Sequence, residues 1–376
     1  MVRRFLLSFV IGLMMLASSC QNPSDPNTNG SKDIRLHTDL AVRAFGNSAY
    51  ILERHGRDNI IKIKYTPPTP STISIATATI AADYSAADFE IISTDGHSVY
   101  LKDLEIEYQE RIGTGLNIQD IAVISETKAY ISSHNSSGLI IFNPSTGKRE
   151  STIDLSRFNT YTGTDSAETS PFASALAVYG NYLYAACQRL KTVQEPWGTN
   201  IVPADTSLIA IIDTRTDEIV GEIKLNKKNP AAMSIHGNMM LVSSTGNWDD
   251  PSSSGVEMID LTGNENLGVI VDGGNFGGNI SNAVFVSPEK AYIGVTLDDW
   301  SVGIFPFNPT TGTASTKIDG IGDGFGGMAY DGQYVYIGDR GFGAAGVAVV
   351  DPTTNTVKQK INTGMPPSAL AVIYTD

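Results

Sequence analysis

Cysteine is nearly absent: the 376-residue chain holds two, Cys20 and Cys187. Neither belongs to a Cys-x-x-Cys-His run, which excludes covalent haem attachment. Histidine is scarce too. His37, His55, His97, His134 and His236 include no pair three or four residues apart, so no metal-ligand spacing is present. His97 and His236 fall at turns, where a solvated imidazole is expected. There is no Gly-x-Ser-x-Gly elbow and no phosphate-binding Gly-Lys-Ser/Thr loop. The glycine-rich stretches 273–278 and 320–327 lack the lysine that such a loop needs and are expected to be connections between sheets. No cofactor is therefore expected, and no catalytic residue is assigned. Basic residues are few, 26 Lys and Arg against 40 Asp and Glu, for a net charge of −14. That balance argues against nucleic acid and against an anionic membrane face as partners.

One apolar run stands out by its position, and it is too short to span a bilayer comfortably. Phe5–Leu16 is 12 residues long and follows Arg3 and Arg4, the pattern of a signal-peptide core. It ends Leu16-Ala17-Ser18-Ser19-Cys20, which resembles the bacterial lipobox. That resemblance implies cleavage before Cys20 and lipidation of Cys20. An ordinary secretory signal with a chance cysteine is the alternative. Gln21 after the cysteine favours the outer membrane by the same family analogy. Residues 20–33 contain QNPSDPNTNGSK, with no large apolar side chain, and read as a flexible tether. With Cys20 acylated, Cys187 is left alone; in Tyr184-Ala185-Ala186-Cys187 it reads as a small buried hydrophobe.

What the chain has in abundance is repetition. A register position recurs at Tyr50, Tyr100, Tyr130, Tyr184, Leu241, Tyr292 and Tyr336, at spacings of 50, 30, 54, 57, 51 and 44 residues. Each follows a tight turn and a short apolar strand: 40–45, 89–92, 121–124, 175–178, 232–235, 283–286 and 327–330. A third strand, rich in β-branched residues, comes next: 60–65, 139–142, 208–212, 256–259, 303–307 and 347–350. Then comes a turn of Asx-Pro-x-Thr-Gly type, at 143–147, 213–217, 308–312 and 351–355. Asx accepts a backbone hydrogen bond, proline presets φ, and the last position takes the left-handed conformation. A fourth strand carries Ile153, 219–223, Ile318 and 357–361. A period of this length in short strands and turns predicts an all-β fold, a β-propeller of seven four-stranded blades. The domain runs over 34–376, after a leader at 1–19 and the tether at 20–33. Residues 368–374 supply an eighth candidate inner strand, which could close the ring by completing the blade begun at the N-terminus, with 40–45 then lying elsewhere.

These repeats, with their Tyr strand, "IDP-x-T" turn and closing "I-x-x-G", resemble the YVTN-type β-propeller repeat family of exported bacterial proteins, akin to quinoprotein amine dehydrogenase-like propellers. The likeness covers roughly residues 35–376 and is closest over 116–155. It implies the fold and leaves the role open, because that family has many.

Propeller geometry puts the loops between second and third strands on the face of the blade-to-blade crossings. All three tryptophans, Trp197, Trp248 and Trp300, fall in those loops. Asp249 and Asp250 adjoin one; Asp298 and Asp299 adjoin another. Equivalent loops elsewhere carry Arg54, Arg189 and Arg340, the last in Asp339-Arg340-Gly341-Phe342. Flat aromatic area with placed polar groups is what a ligand face needs. The same tryptophans could instead wedge between blades while the carboxylates cap turns. Asp pairs could also hold a hard cation such as calcium; the metal is left unknown.

The leading expectation is a lipid-anchored cell-envelope propeller that binds a small ligand or an envelope protein without catalysing a reaction. On architecture alone it resembles lipid-anchored propellers that capture corrinoids, which implies nutrient capture for an outer-membrane transporter. The alternatives are a propeller enzyme of the lactonase or quinoprotein type, an envelope assembly scaffold, and an extracellular structural repeat. The anchor is directly testable. Cys20→Ala is expected to release the protein from the membrane fraction, and mass spectrometry of the unaltered protein should find an acylated N-terminal peptide beginning at Cys20.

Overall fold

The computed structural model describes residues 113, 115–162, 166–167, 170–196, 198–204, 206–343, 345–363 and 366–374. Before these it describes the strands at 18–19, 34–35, 40–45, 48–55, 59–65, 73–80, 87–93, 98–100 and 105–111. The regular structure is strand throughout, apart from short 3-10 turns. Among the described residues, seven sheets hold four or five strands each, and two more are two-stranded hairpins.

Each register residue except Tyr100 sits on the strand that follows and pairs with its blade's inner strand, so the sheets are named here by it. The Tyr130 blade runs Ile118–Ser125, Lys128–Ser133, Gly138–Asn143 and Lys148–Asp154, all antiparallel. The Tyr184 blade has Ala173–Tyr179, Tyr182–Cys187, Leu208–Asp213 and Glu218–Lys224. The Leu241 blade has Pro230–His236, Met239–Ser244, Gly255–Asp260 and Glu265–Asp272. In the Tyr336 blade the order is Met328–Tyr330, Val335–Asp339, Gly346–Asp351 and Thr356–Asn362. The first three strands of such a blade are apolar on both faces because neighbouring blades cover both. The fourth shows alternating exposure, as an outermost strand must.

The Tyr292 blade departs from the pattern. Its Ile280–Ser287, Lys290–Thr296 and Val302–Phe307 are regular, and Ser18–Ser19 lies parallel to the first of them. Ile318, expected on a fourth strand, lies outside any strand. Only an isolated bridge from Phe307 to Ala314 and the bonds Ser315 N to Pro306 O and Ile318 N to Ile304 O follow that edge. Pro306 is the reason. Its carbonyl faces the outer edge, so the N–H that its ring replaces is missing from that edge as well.

The N-terminal strands correct two further expectations. Leu40–Phe45 and Ser48–His55 form a sheet with Ile34–Arg35 on one side and Asn59–Tyr65, then Glu105–Arg111, on the other. Between its third and last strands the chain supplies Ile73–Ile80, Ala87–Ser93 and Ser98–Tyr100 to a different sheet. The inner strand of that sheet is C-terminal, Pro367–Tyr374, paired antiparallel with Ile73–Ile80. Ring closure therefore joins 367–374 to 73–100, and Leu40–Phe45 lies in a different sheet. Tyr100 lies on the edge strand and is no register residue; residues 89–92, read as an inner strand, belong to the third. The physical reason is the apolar run of 369–373, buried throughout, which takes the inner position.

Inner strands touch in the cyclic order 40–45, 118–125, 173–179, 230–236, 280–287, 328–330, 367–374 and back to 40–45. Sheets packed face to face around an axis, with the last completed by both termini, make a β-propeller.

Two sets of bonds stitch blade to blade. Near the axis, Asp120 Oδ2 accepts from Leu176 N (2.6 Å), Ser174 Oγ donates to Pro230 O (2.9 Å) and Ser234 Oγ accepts from Phe285 N (2.9 Å). Further out, the register tyrosines reach the next blade. Tyr130 Oη donates to Asp217 Oδ1, Tyr184 Oη to Asn264 Oδ1 (2.7 Å) and Tyr292 Oη to Asn355 Oδ1 (2.8 Å). Each acceptor is the left-handed residue that ends the turn between third and fourth strands, with φ of 62°, 53° and 57°. Where the register residue is Leu241, the corresponding turn ends in Gly312, which offers no side chain. Tyrosine meets a polar side chain, and leucine meets none. The register tyrosines Tyr130, Tyr184, Tyr292 and Tyr336 are all buried, and burial raises the pKa of Tyr184 to about 12.

Removing the ring and removing the hydroxyl should separate. Tyr130→Ala is expected to cost about 3 kcal/mol, a buried-aromatic loss. Tyr130→Phe keeps the packing and deprives Asp217 of one donor while Lys128 remains, costing about 1 kcal/mol. Denaturant midpoints of the two variants against the parent measure both.

Candidate functional site

The loops between second and third strands do share a face with the crossings between blades. Backbone bonds tie them: His134 N to Asn117 O, Gln188 N to Phe172 O, Thr245 N to Asn229 O, Thr296 N to Asn279 O and Arg340 N to Asp323 O. The turns of Asn, Gly, Pro and Thr gather on the opposite face, as Thr214 N to Asn181 O and Leu261 N to Asn238 O show.

Two of the three tryptophans meet. Trp248 and Trp300 come from successive blades, with ring centroids 6.2 Å apart and planes inclined by 44°. Trp248 sits in a turn over 247–250 closed by Asp250 N to Asn247 O (2.9 Å). Asn279, from the crossing beyond it, donates to Thr245 O and Asn247 O and holds that turn from outside. Trp248 is half-buried, and its indole Nε1 is buried with no hydrogen-bond partner among the described residues. Trp300 sits in a tight hairpin, its N–H bonded to Leu297 O (2.9 Å). Its φ is 69°, the left-handed region, which costs a bulky residue roughly 1–3 kcal/mol. Its side chain remains 56% exposed, so it is not a plug between blades.

The Asp pairs divide their labour. Asp250 Oδ1 accepts from Ser252 N and Oγ, and Asp299 Oδ1 from Ser301 N and Oγ. These are turn caps, and the Ser301 bonds hold the Asp299 carboxyl below its ordinary pKa, with Lys317 adding a smaller pull. Asp249 and Asp298 are exposed, and no described residue bonds to either. Among the described residues, no group of three His, Cys, Asp or Glu is arranged to hold a metal ion.

The arginines are placed differently. Arg189 donates through Nε to Phe158 O and through Nη1 to Thr206 O, pinning the long crossing after the Tyr130 blade to the inserted hairpin of Leu190–Glu195 and Gly198–Pro203. Arg340 lies over the Phe325 ring, 4.9 Å from its centroid. Trp197 and the side chain of Arg54 lie outside the described residues. His236 is partly buried against Phe285, which lowers its pKa, rather than solvated at its turn. Cys187 is fully buried, and burial pushes its thiol up to about 12.

Phe342 was not among the candidate residues, although its loop was. At the tip of the Tyr336-blade loop it is fully exposed. Three successive blades thus present an aromatic residue from the same loop class: Trp248, Trp300 and Phe342. The signal in the sequence is its place in the loop class of Trp248 and Trp300, two residues after Arg340.

Asp323 and Asp339 join the last two of these loops. Asp323 Oδ1 accepts from Val302 N, just after Trp300, and Arg340 N bonds to the carbonyl of Asp323. Asp339 is buried and accepts from Gly322 N, Asp323 N, Gly341 N and Lys360 Nζ (2.6 Å). Burial by itself would raise its pKa, but the Lys360 ammonium and three amides outweigh it and hold the carboxyl below the ordinary range.

No protein-family model and no curated protein matches the chain. Among solved structures it is similar to the hydrazine synthase of Kuenenia stuttgartiensis, at 14% identity, 83% of this chain and 97% of that one, with a TM-score of 0.53. It is also similar to a chain of a nidogen/laminin complex, at 10% identity, 81% and 100% coverage and TM-score 0.49. BamB of Moraxella catarrhalis aligns at 11% identity, 92% and 89% coverage and TM-score 0.42. At these identities the likeness concerns the propeller fold alone.

Asp339 sets a pH test of the rim. Its folded pKa is depressed, so its contribution is present above the ordinary carboxylate range and is lost as pH falls through the depressed value. Asp339→Asn is expected to cost about 3 kcal/mol near neutral pH by leaving Lys360 unpaired. That deficit should shrink on acidification, read as converging denaturation midpoints of parent and variant below about pH 4.

Proposed function

We propose that this chain is a lipid-anchored, seven-bladed propeller of the YVTN-repeat kind that works as a binding module at the bacterial cell envelope, with its site on the rim of the Trp248, Trp300 and Phe342 loops. The observation that carries this is the Trp248–Trp300 pair. Two blades converge on one aromatic contact, and one of its members keeps a strained backbone and an exposed ring. Packing between blades needs neither. Strain maintained by surrounding bonds, at an exposed aromatic, is the usual signature of a recognition position. Adjacent unengaged carboxylates add orientation to stacking. The leader at 1–19, Cys20 and the tether at 20–33 supply the anchor in this reading. No helix among the described residues is long and apolar enough to cross a membrane. The partner is an envelope protein or a small ligand held for an outer-membrane transporter.

The test is a Trp248→Ala/Trp300→Ala double variant, first checked for parental circular dichroism. Photo-crosslinking from position 298 in intact cells should capture a discrete adduct with the parent, and the double variant should lose at least about nine-tenths of it, the loss expected when a two-residue hot spot is removed. Equal capture from a crosslinker placed at Asn181, on the opposite face, would move the site there.

A further inference from the structure

The chemistry around the tryptophan pair narrows what it binds. Asp249 follows Trp248 directly, and Asp298 lies two residues before Trp300. Both are exposed, and neither forms an ion pair or hydrogen bond with a described residue. Of the cations close to this rim, Lys227 Nζ is bonded to Asp272 (2.8 Å) and to Ser252 O, Arg340 lies over Phe325, and Lys317 acts on Asp299 only through its charge. Two unpaired carboxylates therefore flank an electron-rich aromatic surface, on a chain of net charge −14. A neutral sugar would stack on Trp300 and leave both charges uncompensated. A cation answers the ring quadrupole and the carboxylates together.

Geometry favours one cation over another. The two rings lie 6.2 Å apart, too close for a group to enter between them, and the more accessible of the two is Trp300. A flat group suits a single exposed face. Guanidinium stacks on it while its edge forks to a carboxylate; an ammonium is a compact point charge that does neither. We propose that Trp248, Trp300, Asp249 and Asp298 form a subsite for a guanidinium group carried on a basic protein segment. This rests on the rim being the binding face and names the partner's chemistry.

The experiment uses the full chain in a Trp197→Phe background, where fluorescence reports Trp248 and Trp300 alone. Capped tetra-arginine, tetra-lysine and maltohexaose are titrated in turn. Tetra-arginine should change the emission saturably, with tetra-lysine several-fold weaker and maltohexaose without effect. Asp249→Asn/Asp298→Asn should weaken tetra-arginine about tenfold, from two rim ion pairs of modest strength each. Glu218→Gln/Glu222→Gln, which removes the same charge from an outer strand, should change it less than about twofold, since exposed charges beyond a Debye length are screened. No response to tetra-arginine, an equal response to maltohexaose, or equal weakening by the two charge variants would each overturn the proposal. Any of these alongside loss of the cellular crosslink in Trp248→Ala/Trp300→Ala would sink the guanidinium assignment and leave the rim site standing. A saturable arginine response with an undiminished crosslink would do the reverse.

Discussion

The hydroxyl of a buried tyrosine, donated to the residue that ends the next blade's turn, is the contact around which the repeat is organised. A blade cannot bury both of its faces alone; it depends on its neighbours. The tyrosine ring supplies the apolar area for that burial, and its hydroxyl needs a partner once dry. The partner is Asp217, Asn264 or Asn355, each already forced into the left-handed conformation by the turn it closes. One position thus serves two purposes, ending a hairpin and receiving the neighbouring blade. The exception fits the same logic, because Leu241 makes no hydroxyl and Gly312 offers no acceptor. In the Tyr336 blade, Tyr336 Oη donates to Asp331 of its own blade (2.8 Å).

The opposite face is held by buried carboxylates that gather backbone amides. Glu257 accepts from Asn226 N and Lys227 N, and Asp339 from three amides and a lysine. A buried carboxylate is costly unless its oxygens are fully engaged. Both are, and the result is that the crossings feeding the rim are fixed in place. The aromatic loops therefore stand on a rigid base. Of the three rim aromatics only Trp300 has a left-handed backbone, and its hairpin is closed by bonds at Leu297 and Ser301 that the exposed ring does not share.

That division separates scaffold from site. The scaffold residues have their polar atoms engaged; the site residues are left unengaged or carry a strained backbone. Asp250 and Asp299 belong to the first group and Asp249 and Asp298 to the second, although each pair is adjacent in the chain. Arg189 carries charge on the rim but is committed to carbonyl oxygens, while Arg340 lies over the face of Phe325 with its buried Nε unbonded among the described residues.

Period, turn chemistry and strand composition were sufficient for the propeller, because they are local. An Asx-Pro-x-Thr-Gly turn needs only its own five residues, and an alternating or apolar strand declares its burial. The loop class of the tryptophans followed from the same periodicity. Ring closure was not local: Pro367–Tyr374 competes for the inner position beside Ile73–Ile80 against sequences hundreds of residues away, and only packing decides the winner. Pro306 was visible in the chain, but its consequence depended on which edge its missing N–H faced. Nor could adjacency tell Asp249 from Asp250, since the difference lies in which carboxylate a serine reaches once the turn has formed. The meeting of Trp248 with Trp300 was likewise a tertiary outcome, set by the angle between two neighbouring blades.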